Sequence, residues 1–222
     1  MIYITGDTHG DIDRFKQFKK LFPKYKNHVF VCGDFGFVWS GSEDEIQQIK
    51  KLEKYDCVIM FVEGTHDNLD LLKQYPDEEY CGGRVKRLSK NMLWMQRGEI
   101  YEIEGQKVFA FGGGESIDAD EREAGINWWP DELPSIEELE YARKKLSSVD
   151  DKVDIVITHQ NPRLELGLIE RPHERIDALT AFLGMAAKTI EFKHWYFGKD
   201  HIDRVVSPKM TALFEKVVQH KG

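Results

Sequence analysis

Apolar and polar positions along this chain follow two rhythms. Residues 1–5, 28–32, 57–62, 153–157 and 194–197 are nearly continuous apolar runs rich in β-branched and aromatic side chains. That composition predicts strands covered on both faces. Between them lie segments of helical spacing. Asp11 is placed to cap a helix whose apolar face takes in Ile12, Phe15, Phe18 and Leu21. Ser42 with Glu45 predicts a capping box ahead of Ile46, Ile49 and Leu52, and Ser135 with Glu138 predicts another ahead of Leu139, Ala142 and Leu146. Pro208 after Ser207 suits the first turn of a final helix that would bury Leu213, Phe214, Val217 and Val218.

The middle of the chain differs. Residues 92–95, 100–103 and 107–111 are strand-like runs in close succession, with Glu104-Gly105-Gln106 as a hairpin turn. Strand–helix alternation at both ends and consecutive strands between them predict an α/β fold of two sheets packed face to face. With helices outside, this is a four-layer α/β/β/α sandwich. No repeat or linker divides the sequence, so residues 1–222 are expected to form one domain. Residues 112–134 form the one long irregular stretch, and a loop of that length usually carries function or covers a site.

Bulk properties narrow the partners. A net charge of -8 leaves no general basic face for nucleic acid, so a nucleic-acid partner is not expected. The basic cluster Arg84-Val85-Lys86-Arg87 reads as a solvated turn. No apolar run approaches the roughly 20 residues of a membrane span. The sequence opens on a strand run with no signal-like segment ahead of it, and Cys32, Cys57 and Cys81 form no CxxC pair. These features fit a reducing cytoplasmic location.

The strand runs are each followed by residues that can hold a cation. Asp7 and His9 follow the first, Gly33-Asp34 the second, and Gly64-Thr65-His66-Asp67 the third. His159 follows the fourth and Lys199-Asp200-His201 the fifth. Side chains just past the carboxyl ends of strands in an α/β sheet converge on one crevice. A single Asp-x-His is more often a cap or a turn; the set of five points to a metalloenzyme.

In this order the motifs resemble the calcineurin-like metallophosphoesterase superfamily. The resemblance rests on Asp7-Thr8-His9, Gly33-Asp34-Phe35-Gly36, Gly64-Thr65-His66-Asp67, His159 and Gly198-Lys199-Asp200-His201. The stretch from Phe111 through Glu115, Ser116, Asp118 and Arg122 to Trp128-Trp129-Pro130 is similar to that of small bacterial and phage-type members. It implies hydrolysis of a phosphate mono- or diester by hydroxide on a Mn, Fe or Zn centre, with a small phosphate ester as partner. Asp7, His9, Asp34 and His201 would hold the first metal, with Asp34 bridging to a second about 3.5–4 Å away. His159 would ligate that second metal. His66 would protonate the leaving group, with Asp67 nearby to orient or tune it.

Two departures fall on the second metal. Thr65 stands where the family has Asn, and Lys199 where it has the first His of its last motif. Threonine brings only a neutral hydroxyl, and a protonated lysine has no lone pair. One metal site is therefore expected to be complete and the second degraded, with Lys199 supplying positive charge to the phosphate. The alternative is a weak or inactive member that serves as a binding or regulatory module. The arginine that follows the second motif in protein phosphatases of the superfamily is replaced by Phe35-Gly36-Phe37-Val38-Trp39.

Other residues take plainer readings. Arg122 and Arg163 are read as surface charges or local ion pairs at least as readily as phosphate ligands. Trp128-Trp129 is expected to anchor the long loop, His194 to be a hydrogen-bonded strand residue, and residues 112–114 to make a tight turn. His28, His173 and His220 have no partner motif.

Overall fold

A computed structural model describes residues 1–17, 27–162 and 177–221. Phe18, Leu21, Arg163 and His173 lie outside the described residues. One sheet has seven strands. Ile2–Thr5 (β1), Asn27–Val31 (β2), Cys57–Phe61 (β3) and Met92–Met95 (β6) run parallel in that order. Asp77–Tyr80 (β4) and Gly83–Ser89 (β5) extend it antiparallel beyond β6. The other sheet has Gln106–Phe111 (β8), Ile155–Thr158 (β9), His194–Phe197 (β10) and Met210–Ala212 (β12) as its parallel core. Ile100–Ile103 (β7) and Arg204–Ser207 (β11) are its antiparallel edges. Val218–Gln219 (β13) returns to pair with β1.

Alternation along each strand sorts the core into three apolar layers. Ile2, Ile4, Phe30, Cys32, Met60 and Leu93 face Tyr101, Val108, Ala110, Ile155, Ile157 and Tyr196 between the sheets. The alternate residues Tyr3, Val29, Val31, Ile59 and Phe61 pack outward against Phe15, Ile49, Leu52, Leu69 and Leu72. On the other side Phe109, Phe111, Val156, Trp195 and Phe197 pack against Ala142, Leu146, Leu179 and Leu183. Apart from Phe15, those outer residues come from helices Glu43–Leu52 (α1), Leu69–Leu72 (α2), Ile136–Ser147 (α3) and Ala178–Thr189 (α4). The layering is α/β/β/α, as predicted.

The local signals fared unevenly. Ser135 and Glu138 form the full reciprocal box. Ser42 accepts from the amide of Glu45, but the Glu45 carboxylate reaches past it to the amides of Trp39, Ser40 and Gly41 at 2.9–3.1 Å. After Asp11 the described residues form a 3₁₀ turn, Ile12–Lys16, with Phe15 fully buried. The expected C-terminal helix is instead the β11–β12 hairpin followed by β13, with Pro208 and Lys209 in its turn. Proline's fixed φ suits the second position of a turn as well as the first turn of a helix. Residues 84–87 are strand, not a solvated turn: Arg84 pairs with Glu99, Lys86 with Asp77 at 2.9 Å, and Arg87 with Glu78.

Among the described residues no helix is long and apolar enough to cross a membrane. His194 meets Thr211 at 2.8 Å, as a structural strand residue should. Trp129 is buried, donates to Asp70 at 2.9 Å and sets its ring edge-on to Trp39, so it anchors the long loop.

Candidate metal centre

The parallel strands of both sheets end on one side of the molecule, and the motifs meet there. Asp7 and His9 leave β1, Asp34 leaves β2, and His201 leaves β10; their ligand atoms all lie within 4.8 Å of one another. The His9 and His201 Nε2 atoms are 3.0 Å apart, His201 Nε2 is 3.2 Å from Asp7 Oδ2, and His9 Nε2 is 3.8 Å from Asp34 Oδ2. Ligands bound at about 2.1 Å around one cation stand roughly 3.0–3.4 Å apart, and the two shorter separations match the edges of such a polyhedron. The donor set therefore fits a transition metal, two carboxylates and two imidazoles being its usual company.

The backbone is bent to achieve this. His9, Asp34, Lys199 and His201 all have positive φ, between 41° and 60°. Non-glycine residues rarely adopt that region, and such strain collects at functional sites. Two glycines make room for the carboxylates. A Cβ on Gly64 would stand 2.0 Å from Asp34 Oδ1, and one on Gly198 2.0 Å from Asp7 Oδ1.

His159 is fully buried beside this group. Its Nδ1 faces the Cys32 carbonyl at 3.2 Å, and its Nε2 lies 3.6 Å from Asp34 Oδ1. That Nε2 and Asp7 Oδ1 are buried without a hydrogen-bond partner, as atoms reserved for a cation would be. Burial disfavours a charged His159, but the facing carboxylates of Asp34 and Asp7 outweigh it and lift the imidazole to about 9. Burial likewise opposes ionisation of Asp34, yet His159 and the hydrogen bonds from His66 hold its carboxyl well below the usual range. Without a cation, then, this cluster of buried negative charge takes up a proton in its place.

The remaining expected residues divide. His66 donates its amide to Asp34 Oδ1 at 2.8 Å and sets Nδ1 2.9 Å from Asp34 Oδ2. The hydroxyl of Thr65, nearly buried, lies 3.3 Å from that same Nδ1. Among the described residues no hydrogen bond joins the Asp67 carboxylate to His66. That carboxylate accepts from the amides of Phe35, Gly36 and Gly64 at 3.1, 2.9 and 2.9 Å and so supports the turn that presents Asp34. Burial and the charge of Asp34 lift Asp67 to about 7 in spite of these donors.

Lys199 donates its amide to Asp7 Oδ2 at 2.9 Å and its ammonium to the Glu115 carbonyl at 2.5 Å. Gly114 shows where that ammonium stands: a Cβ there would lie 3.1 Å from Lys199 Nζ and 3.3 Å from the His159 ring. Burial lowers the Lys199 pKa, with Asp34, Glu132, Asp177 and Asp200 opposing the shift.

Three contacts were not read from the sequence. Arg122, weighed there as a surface charge or a phosphate ligand, lies in the site with its guanidinium 3.2 Å from His66 Nε2. Glu115 contributes a backbone carbonyl, which no side-chain motif can announce. Gln160 accepts from the Glu115 amide at 3.3 Å and donates to Thr180 at 2.6 Å, tying the loop to α4. Its place directly after His159 was the available signal. The cleft over these groups has a volume of about 340 Å³ and is rimmed by Ser116, Ile117 and Asp118.

Comparison with known proteins bears on the family. No curated protein matches the chain in sequence. A phosphopantetheinyl hydrolase from Mycobacterium tuberculosis is similar in structure at 15% identity and a TM-score of 0.48, over 96% of this chain and 87% of its own. A protein serine/threonine phosphatase from Saccharomyces cerevisiae is similar at 16% identity and a TM-score of 0.37, over 96% of this chain and 66% of its own. The profile described as calcineurin-like phosphoesterase matches residues 1–210 of the 222. The chain therefore belongs to the calcineurin-like phosphoesterases, a family of metal-dependent phosphoric ester hydrolases.

Proposed function

We propose that this chain hydrolyses a small phosphate mono- or diester at one firmly held divalent transition metal, with a lysine ammonium beside it in place of a second. The reading is carried by the convergence of Asp7, His9, Asp34 and His201 within 4.8 Å. A Mn, Fe or Zn ion there would act as a Lewis acid on a phosphoryl oxygen and lower the pKa of water at the site. The protein's own side chains do the rest. Asp34 draws His66 into place through two hydrogen bonds, so Nε2 is the ring atom that can face a leaving group. Lys199 brings one fixed positive charge next to His159, where the phosphate oxygens would need it.

Thr65 and Lys199 favour one ion over two. The same pair supports a second reading, a binding module that has lost catalysis. His66 argues for hydrolysis, since a purely structural ion needs no acid held against its ligand. Purified protein should carry close to one transition-metal ion per chain and hydrolyse p-nitrophenyl phosphate when manganese is supplied. Asp34→Asn should lose most of the ion and the activity. Full metal retention in that variant would sink the assignment.

A further inference from the structure

We propose that Arg122 is a phosphate-gripping residue that exchanges its contact with His66 for the non-bridging oxygens of a bound phosphate ester. The loop that carries it is pinned at its base. Ser116 donates its amide and hydroxyl to Glu132 at 2.6 and 2.7 Å, and Trp129 is buried against Trp39 and bonded to Asp70. The tip is exposed, with Ile117 70% and Ile126 60% accessible. Within it Arg122 is braced: Nε lies 2.9 Å from Asp118 Oδ1, and one terminal nitrogen donates to the Asn127 carbonyl at 3.3 Å. The other terminal nitrogen reaches His66 Nε2. Among the described residues this is the polar contact that joins residues 117–128 to the body beyond the loop's base.

The contact is a replaceable one. His66 Nδ1 is engaged with Asp34, so the imidazole meets the guanidinium through the single ring atom Nε2. A phosphate offers charged oxygens at the spacing of the guanidinium fork, and charge-assisted bonds of that kind are roughly twice as strong as neutral ones. The position suits the exchange. Arg122 stands one imidazole ring from Asp34 and lines the same cleft as Lys199 and His201. A phosphoryl group at the metal is within reach of the fork, and the exchange leaves His66 Nε2 free to face the leaving group.

The inference rests on the hydrolytic reading for its substrate, but its test stands apart from turnover. Inorganic phosphate is titrated calorimetrically into manganese-loaded wild type, Arg122→Ala, Arg122→Lys and Asp118→Asn, with metal content measured for each. Removing a hydrogen-bonded charge should weaken phosphate binding about ten- to a hundred-fold. Lysine should recover only part, since it restores the charge without the fork, and Asp118→Asn should fall between. Metal content should not change, and Arg122→Ala should raise KM for p-nitrophenyl phosphate by a similar factor. Wild-type phosphate affinity in the Arg122 variants, or no phosphate binding by wild type, would overturn the proposal. Should Arg122→Ala misfold, Arg122→Lys and Asp118→Asn decide it. A wild type that binds phosphate through Arg122 yet hydrolyses no nitrophenyl ester would retire hydrolysis and keep Arg122. Hydrolysis with unchanged KM in Arg122→Ala would do the reverse.

Discussion

Asp67→Asn separates two roles for the residue that follows His66. If Asp67 tunes the imidazole, as its place in the motif implies, the variant should lose turnover and little else. The structure puts its carboxylate under the Asp34 turn, where three amides converge on two oxygens. The variant's one amide oxygen can occupy the place of Oδ2 and keep Phe35 and Gly64. Its NH₂ then faces the Gly36 N–H, donor against donor. An orphaned buried donor costs about 1–3 kcal/mol, and the two surviving bonds lose their charge assistance. A total of about 2–4 kcal/mol follows, a large share of the roughly 5–15 kcal/mol of a typical domain. The assay is urea unfolding of metal-free protein at pH 8, above the value near 7 at which Asp67 ionises. The midpoint should fall with the slope unchanged. Metal affinity should fall with it, because Asp34 at φ +41° is held in place by this turn. A stability change under about 0.5 kcal/mol, with loss confined to turnover on poor leaving groups, would return Asp67 to the tuning role.

Three further outcomes are expected. His66→Ala should slow hydrolysis of an ester with a poor leaving group about 10²–10⁴-fold and that of nitrophenyl phosphate less, at constant metal content; equal losses on both would remove the proton-donor role. Lys199→His with Thr65→Asn should raise bound metal from about one ion toward two and speed turnover, and a wild type already holding two ions tightly would refute the lysine substitution. In the metal-free protein the folded-state pKa of His159 is raised to about 9 from an ordinary 6.5. That contribution to stability is complete below pH about 6.5 and lost as pH rises through about 9. The melting temperature should decline across that window without metal and lose this slope once zinc is bound; a flat metal-free profile counts against it.

What was legible in the sequence follows from range. Strands β1, β2, β3, β9 and β10 announced themselves because both of their faces are buried, so nearly every residue is apolar. The candidate metal-binding set was readable because each of its residues closely follows a strand. Helix α4 was not recognised: ALTAFLGMAAKT is apolar on nearly every face, which hides the 3.6-residue period. Strand β5 was missed because its charges pair with Asp77, Glu78 and Glu99, partners that appear only once the hairpin forms. Arg122 lies 56 residues from His66, and no local pattern links a loop arginine to that imidazole. The bonds of Asp67 to the Asp34 turn were not legible either, since neighbours in sequence at a turn can point to opposite sides of the chain.

The provenance of the ligands has a mechanical consequence. Asp7, His9 and Asp34 descend from the seven-stranded sheet, His201 from the six-stranded one. A cation held between them is a rivet across the two layers at one end of the sandwich. Its binding free energy adds to the cohesion of the sheets wherever the metal binds the folded chain and not the unfolded one. Chelation would then loosen the carboxyl ends of β1, β2 and β10 together and leave the far ends of those strands clasped by the apolar layer alone. Because the riveted segments lie nearly two hundred residues apart, the ion can seat only after both ends of the chain have been gathered, which makes it a reporter of completed assembly.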